Sequence, residues 1–214
     1  MNDDSKQQAF LSALVTEHFV LQSARGATTS EANGRAALYL TSLTGALVAL
    51  GFVAQVGEQF DAFAATVLPA LFLLGEFTYV RLLENGIEDA LFQRSIQRIR
   101  RYYLGLVPEA AEFFGDATLD RKPSAAMYGS SAQLLFTAAS MIAAINAIVG
   151  GASVALLVRA LDLAGLVVAV VAGVAVAVLV FALHFWHQRR RWGQVLGRPA
   201  AADAGSATVG LLRR

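Results

Sequence analysis

"AGLVVAVVAGVAVAVLVFALHFW", residues 164–186, runs for 23 positions without a charged side chain. As a helix rising 1.5 Å per residue it is about 35 Å long, enough to cross a hydrocarbon layer of about 30 Å. The uncharged run extends from Leu163 to Gln188, and three further segments share its character. Ala36 to Val56 is uncharged, Ala62 to Val80 carries only Glu76, and no charge falls between Lys122 and Arg159, where "SAQLLFTAASMIAAINAIVGGASVALL" (131–157) lies. Four membrane spans are therefore predicted, at about 36–56, 62–83, 131–157 and 163–187. The connections, near "GEQFDA" and "RALD", are short enough to force antiparallel hairpins. The predicted fold is all-α: a four-helix transmembrane bundle of two antiparallel hairpins, with amphipathic cytoplasmic helices.

Composition agrees. Of 214 residues 56% are hydrophobic and only 15% charged, against about 25% charged in soluble domains. Mean hydropathy is +0.54. A net charge of +1 and the lack of an aromatic-interleaved basic surface argue against nucleic acid as a partner. With no cysteine, disulfides, thiolate metal sites and Cys nucleophiles are excluded. The start, "MNDDSKQQAF", is acidic and polar, so no cleaved signal is expected.

Basic residues set the direction. The N-terminal tail holds three, the segment between spans two and three holds seven, and the C-terminal tail holds six. Of the seventeen, only Arg159 falls in a hairpin loop. Loops rich in Lys and Arg stay in the cytoplasm, so both termini and the central segment are expected there.

Outside the spans, "FLSALVTEHFVLQSA" (10–24) is amphipathic and is expected to lie on the membrane or against the bundle. It forms an N-terminal unit, 1–27, which "GATT" should end. Thr28 and Glu31 have capping-box spacing, so a new helix is expected there. It opens the transmembrane unit 28–186, which includes a cytoplasmic segment at 84–130. Glu31 and Arg35, four apart, suit an ion pair. In "IEDALFQRSIQRIRRYYLG" (87–105), Arg94, Arg98 and Arg101 share a face. They and Arg189, Arg190 and Arg191 are candidate contacts for anionic headgroups; the alternative is a solvated face on an extension of span two. Residues 107–130 read as a linker, and 187–214 as a basic, disordered cytoplasmic tail.

Glu76 is the oddly placed group. The apolar side chains of span two contribute roughly −3 to −5 kcal/mol to insertion, against at most about +3.5 for a central charge, so the span still inserts. Glu76 lies five residues before Arg81, and His184 five before Arg189, which puts the two at matching depth. Tyr39, Thr41 and Thr137 enter at comparable depth, with Asn146 nearer mid-span. These six form the predicted polar site. It is either a structural cluster, with Glu76 paired to Arg35, Arg81 or His184, or an ion or proton relay. A metal site from Glu76, His184 and His187 has acceptable ligand types but an uncertain third ligand, so no metal or other cofactor is assigned. Pro69 could kink span two. No catalytic constellation of known spacing is present.

Small residues recur every four positions in three spans: Ala37, Thr41, Gly45 and Ala49; Ala143, Ala147, Gly151 and Ala155; Gly165, Ala169, Gly173 and Ala177. Packing within one bundle is the favoured reading, and a homo-oligomeric interface the alternative.

"SEANGRAALYLTSLTGALVALGF" and "QRSIQRIRRYY" resemble features of small uncharacterised four-helix membrane proteins of bacteria. The resemblance implies the bacterial inner membrane and brings no activity or catalytic residue. Two functions lead from sequence, ahead of a membrane enzyme acting on lipid, which lacks a catalytic constellation. One is a non-enzymatic oligomeric channel or membrane effector built around Glu76. The other is a membrane scaffold whose cytoplasmic helices bind a partner protein or anionic lipid.

Overall fold

The computed structural model of the chain describes residues 3–57, 59–114 and 134–196. Every regular element among them is helical: α1 (Asp3–Val56), α2 (Phe60–Leu106), a 3-10 turn (Pro108–Ala110), the short α3 (Ala111–Phe114), α4 (Ala138–Ala160) and α5 (Leu166–Leu196). Four of these, α1, α2, α4 and α5, are long and apolar enough to cross a membrane. They form two hairpins. Gly57, at φ +83°, ends α1 in a left-handed conformation that a side chain would resist. Asp162, at φ +51°, does the same after α4. There the Leu163 amide reaches the Val158 carbonyl and the Asp162 amide the Arg159 carbonyl. Those two bonds are a Schellman ending, and Asp tolerates the left-handed position better than most residues.

The helices are packed in sequence order: α1 on α2, α2 also on α4, and α4 on α5, with α5 meeting α2 only lightly. On α2, residues 64, 68, 71, 75, 78, 82 and 85 are all buried, an unbroken four-three repeat. That spacing keeps one seam facing its neighbours over six turns. On α1 the buried residues are Leu21, Thr28, Tyr39 and Leu50. They fall close to multiples of 3.6 apart, so they too lie along one nearly straight line.

Small residues govern the α4–α5 contact. A Cβ on Gly151 would run into the Gly173 carbonyl and the Ala177 methyl, and one on Gly173 into the Gly151 carbonyl and the Ala155 methyl. The stripes on these two helices therefore interlock within one chain, which is the favoured reading of their sequence spacing. The stripe on α1 does not: Ala37, Thr41 and Gly45 are exposed, and nothing lies within 4 Å of a Cβ built on Gly45.

Large apolar side chains point outward, among them Phe52, Phe77, Ile148, Val167 and Val171. The largest side chains with almost no exposure are polar: Tyr39, Tyr79, Gln188, Asn85 and Asn146. This distribution, large apolar side chains outside and large polar ones within, is the one that an apolar solvent favours.

Four expectations are corrected. First, α1 is continuous, and no cap forms at Thr28. The Thr28 and Thr29 hydroxyls instead donate back to the carbonyls of Ala24 and Arg25, at 2.9 and 3.0 Å. A glycine within a helix costs only about 1 kcal/mol, and packing on α2 to both sides of Gly26 offsets it. Second, residues 10–24 do not form a separate surface helix; they pair with the far half of α2. Leu21 is buried with Ile96 and Ile99, and Leu14, Phe92 and Tyr103 pack around them. Third, α5 continues to Leu196, so the expected tail begins as helix. The rest of that tail, 197–214, and 115–130 of the linker lie outside the described residues. Fourth, helix α4 begins at Ala138, with Thr137 as its N-cap, later than the 131 expected for the span.

Pro69 stays within α2. A cavity of about 250 Å3 lies beside it, lined by Ala65, Leu68, Ser153 and Leu157. Asp61 and Ala160 also line it, so it lies at the hairpin-loop end of α2 and α4, and Glu76 is not among its lining residues.

Gly151→Leu is expected to force α4 and α5 apart and to lower stability by about 1–3 kcal/mol. Thermal unfolding of detergent-solubilised protein checks this, with Gly45→Leu, on the open stripe of α1, remaining close to wild type.

Candidate functional site

Glu76 joins all four long helices. Its Oε1 accepts a hydrogen bond from Asn146 Nδ2 of α4 at 3.0 Å. The His184 Nε2 of α5 lies 2.9 and 3.0 Å from its two oxygens. Asn146 Oδ1 in turn accepts from the Tyr39 hydroxyl of α1 at 3.2 Å. The chain of contacts thus runs Tyr39, Asn146, Glu76, His184, one residue from each helix. Tyr39 and Asn146 have no exposed surface. The His184 side chain is 7% exposed and that of Glu76 32%.

Local sequence explains the fit. Gly75 precedes Glu76, and a Cβ there would collide with the Asn146 amide. The missing side chain is what admits the amide between α2 and α4. Tyr79, one turn on from Glu76, donates to the His184 carbonyl at 2.6 Å, and its ring meets the His184 ring edge to face, centroids 4.3 Å apart. His187 Nδ1 lies 3.4 Å from the Tyr79 hydroxyl. The residue thus turns to Tyr79 and away from Glu76. Among the described residues no group of three or more His, Asp and Glu is placed to hold a metal.

Of the six residues expected in the polar site, Glu76, His184, Tyr39 and Asn146 come together. Thr41 faces outward, because two residues beyond Tyr39 the helix has turned about 200°. Thr137 belongs to a second cluster, nearer the arginine-rich end. There its hydroxyl oxygen accepts from the Ser140 amide at 3.2 Å and from Gln188 Nε2 at 3.0 Å. The Ser140 hydroxyl lies 2.6 Å from the Leu134 carbonyl and 2.9 Å from Gln188 Oε1. Gln188 and Tyr79 were missed from sequence. The signal was available: Gln188 is four residues after His184 and Tyr79 three after Glu76, so each shares a face with the residue already singled out. Beside this cluster a cleft of about 500 Å3 opens between α1, α2, α4 and α5, bordered by Thr28, Asn85, Thr137, Gln188 and Trp192.

Beyond the spans, the near part of the paired helices is charge-matched. Arg25 binds Asp89 through two nitrogens, at 2.7 and 3.2 Å. Glu31 takes Arg81 at 2.9 and 3.1 Å and Arg35 at 2.8 Å. The Arg81 and Arg35 guanidiniums hold the Glu31 carboxyl down at about 2, against an ordinary 4.5. The Glu31–Arg35 pair read from spacing is present; Glu76 pairs with neither Arg35 nor Arg81.

The candidate headgroup contacts differ among themselves. Arg94 donates to the Val195 carbonyl at 3.2 Å, which ties α2 to the last turn of α5. Arg191 lies 4.0 Å from Glu84, and Arg190 sits 5.5 Å from the Trp186 ring centroid. Arg189, Arg98 and Arg101 are exposed.

No protein-family model, curated protein or solved structure matches the chain.

Two outcomes are expected. Asn146→Ala leaves the Tyr39 hydroxyl and one Glu76 oxygen without their partner and should cost about 1–3 kcal/mol in thermal or denaturant unfolding. Glu31→Gln should lower the unfolding temperature near neutral pH. Because the folded-state value of Glu31 lies below its ordinary one, that gap to wild type is full above 4.5 and closes as pH falls from 4.5 toward about 2.

Proposed function

We propose that the chain is a non-enzymatic integral membrane protein that acts as a scaffold. Four spans anchor it, and a two-helix stalk on the cytoplasmic side docks a partner protein. The observation that carries this reading is the stalk. From Arg81 to Leu106 α2 continues for 26 residues, about 39 Å. It stays paired along that length with the N-terminal half of α1. The bias of basic residues toward this end supports the cytoplasmic side, and the sequence resemblance to bacterial proteins favours an inner membrane.

The stalk surface supports docking. Val15 and Phe19, four apart on α1, are exposed, Phe19 to 67%. The Phe10 and Tyr102 rings pack edge to face across the two helices, and each remains about half exposed. On α2, Arg98, Arg100 and Arg101 have no carboxylate within ion-pair distance among the described residues. An apolar strip beside unmatched guanidiniums suits a partner offering apolar and acidic side chains.

Distance favours a protein over the same bilayer as that partner. Arg98 is seventeen residues beyond Arg81, about 25 Å along a continuous helix. That exceeds the screening length of about 8 Å at physiological salt. Arg189, next to the last span, stays within reach of anionic headgroups. The channel reading draws less support, because within one chain both Glu76 oxygens are taken by Asn146 and His184.

The test is site-specific photocrosslinking in cells expressing the full chain, with the reactive residue at Phe19 or Tyr102 and a control at outward-facing Val171. A discrete protein adduct is expected at the stalk positions. Reversing Arg98, Arg100 and Arg101 to Glu should reduce it about tenfold, the equivalent of about 1.4 kcal/mol. Adducts confined to lipid, or none at any stalk position, would overturn the scaffold reading.

A further inference from the structure

We propose that Glu76 and His184 form a binding site for a single proton, enclosed among the four long helices. The argument starts at the far side of the imidazole. His184 Nδ1 lies 2.7 Å from the Val180 carbonyl. A carbonyl oxygen only accepts, so Nδ1 must carry a hydrogen. That leaves Nε2, facing the Glu76 oxygens at 2.9 and 3.0 Å. One of the two groups must donate for the contact to be attractive. Either Nε2 holds the proton against a carboxylate, or a carboxylic acid donates to the bare Nε2 lone pair. Both arrangements contain the same single proton, and both are neutral overall.

The remaining neighbours limit where that proton sits. The Tyr39 hydroxyl donates to Asn146 Oδ1, so the Asn146 amide nitrogen faces Glu76 and can only donate to Oε1. Oε1 thereby accepts from Asn146, so when the carboxyl carries the shared proton it carries it on Oε2, and when Nε2 carries it either oxygen is within reach as acceptor. The other titratable groups facing the pair are Tyr39 from α1, Tyr79 from α2 and His187 from α5; α4 contributes only Asn146. No Lys or Arg lies within ion-pair distance of Glu76 among the described residues. The occupancy of the site is therefore bounded on both sides. Losing the proton to water as H+ leaves a bare carboxylate against a bare nitrogen lone pair, with one uncompensated negative charge. Gaining a second sets two donors face to face, with one uncompensated positive charge. The partly exposed edge of Glu76 is the route for exchange, since His184 is almost wholly covered.

The test uses the full chain, 15N-labelled at histidine, in nanodiscs, with His184→Gln to assign the resonances. In wild type the His184 Nε2 resonance should hold a single, hydrogen-bonded position from about pH 5 to 8, where an ordinary histidine titrates. It should also move on transfer to D2O, as a nitrogen bonded or hydrogen-bonded to an exchangeable hydrogen does. Glu76→Gln offers a donor that Glu76 shares only when protonated, so it should keep the fold and shift Nε2 to the unprotonated position at every pH in that range. A wild-type resonance that titrates like a free imidazole, or one unmoved by both D2O and Glu76→Gln, would overturn the proposal. The pH series on wild-type protein does not depend on Glu76→Gln and so decides the matter even if that variant fails to fold.

Discussion

A carboxylate surrounded by apolar helices has to find its hydrogen bonds in protein, and Glu76 finds them on its neighbours. Asn146 and His184 bind it directly, and Tyr39 reaches it through Asn146. Because these partners come one from each long helix, the cluster fixes the rotation of every helix about its own axis. Apolar side chains alone do this weakly when the surroundings are as apolar as they are. The rest of the interior follows from the same demand. Gly75 is bare because Asn146 needs the space, and α4 and α5 approach closely through Gly151 and Gly173 because their stripes carry no bulk.

Beyond the apolar segments of the long helices the packing follows another rule. The first turns of the stalk are locked by matched charges, Glu31 with Arg81 and Asp89 with Arg25. Farther out, Leu21 closes against Ile96 and Ile99 in a small apolar core of conventional kind. Toward the tip the basic side chains of α2 lose their matching carboxylates. One protein thus has two packing regimes along a single pair of helices, polar pins inside an apolar body and then an apolar seam inside a polar one.

Much of this could be read from the residues. Length and apolarity located the four long helices, and the equal distances of Glu76 and His184 from their basic boundaries paired two residues 108 positions apart. The stripes on α4 and α5 were legible because a period of four survives translation into a helix face. Thr41 was misread because depth was considered without phase. The continuity of α1 was hidden because Gly26, Thr28 and Thr29 have weak helix preference of their own, and the support for helix comes from α2, more than sixty residues away. The four-three repeat of α2 escaped notice for a related reason: it includes Gly75, Thr78 and Asn85, whose burial no hydropathy pattern announces.

The unbroken course of α1 has a mechanical corollary. A helix with no hinge between Asp3 and Val56 behaves as a stiff shaft. Torque applied near Phe19 arrives at Tyr39 with little loss, and Tyr39 is where α1 grips Asn146. The outer tip and the junction around Glu76 are therefore two points on one uninterrupted element, and a displacement of the first has no loop in α1 to absorb it before the second.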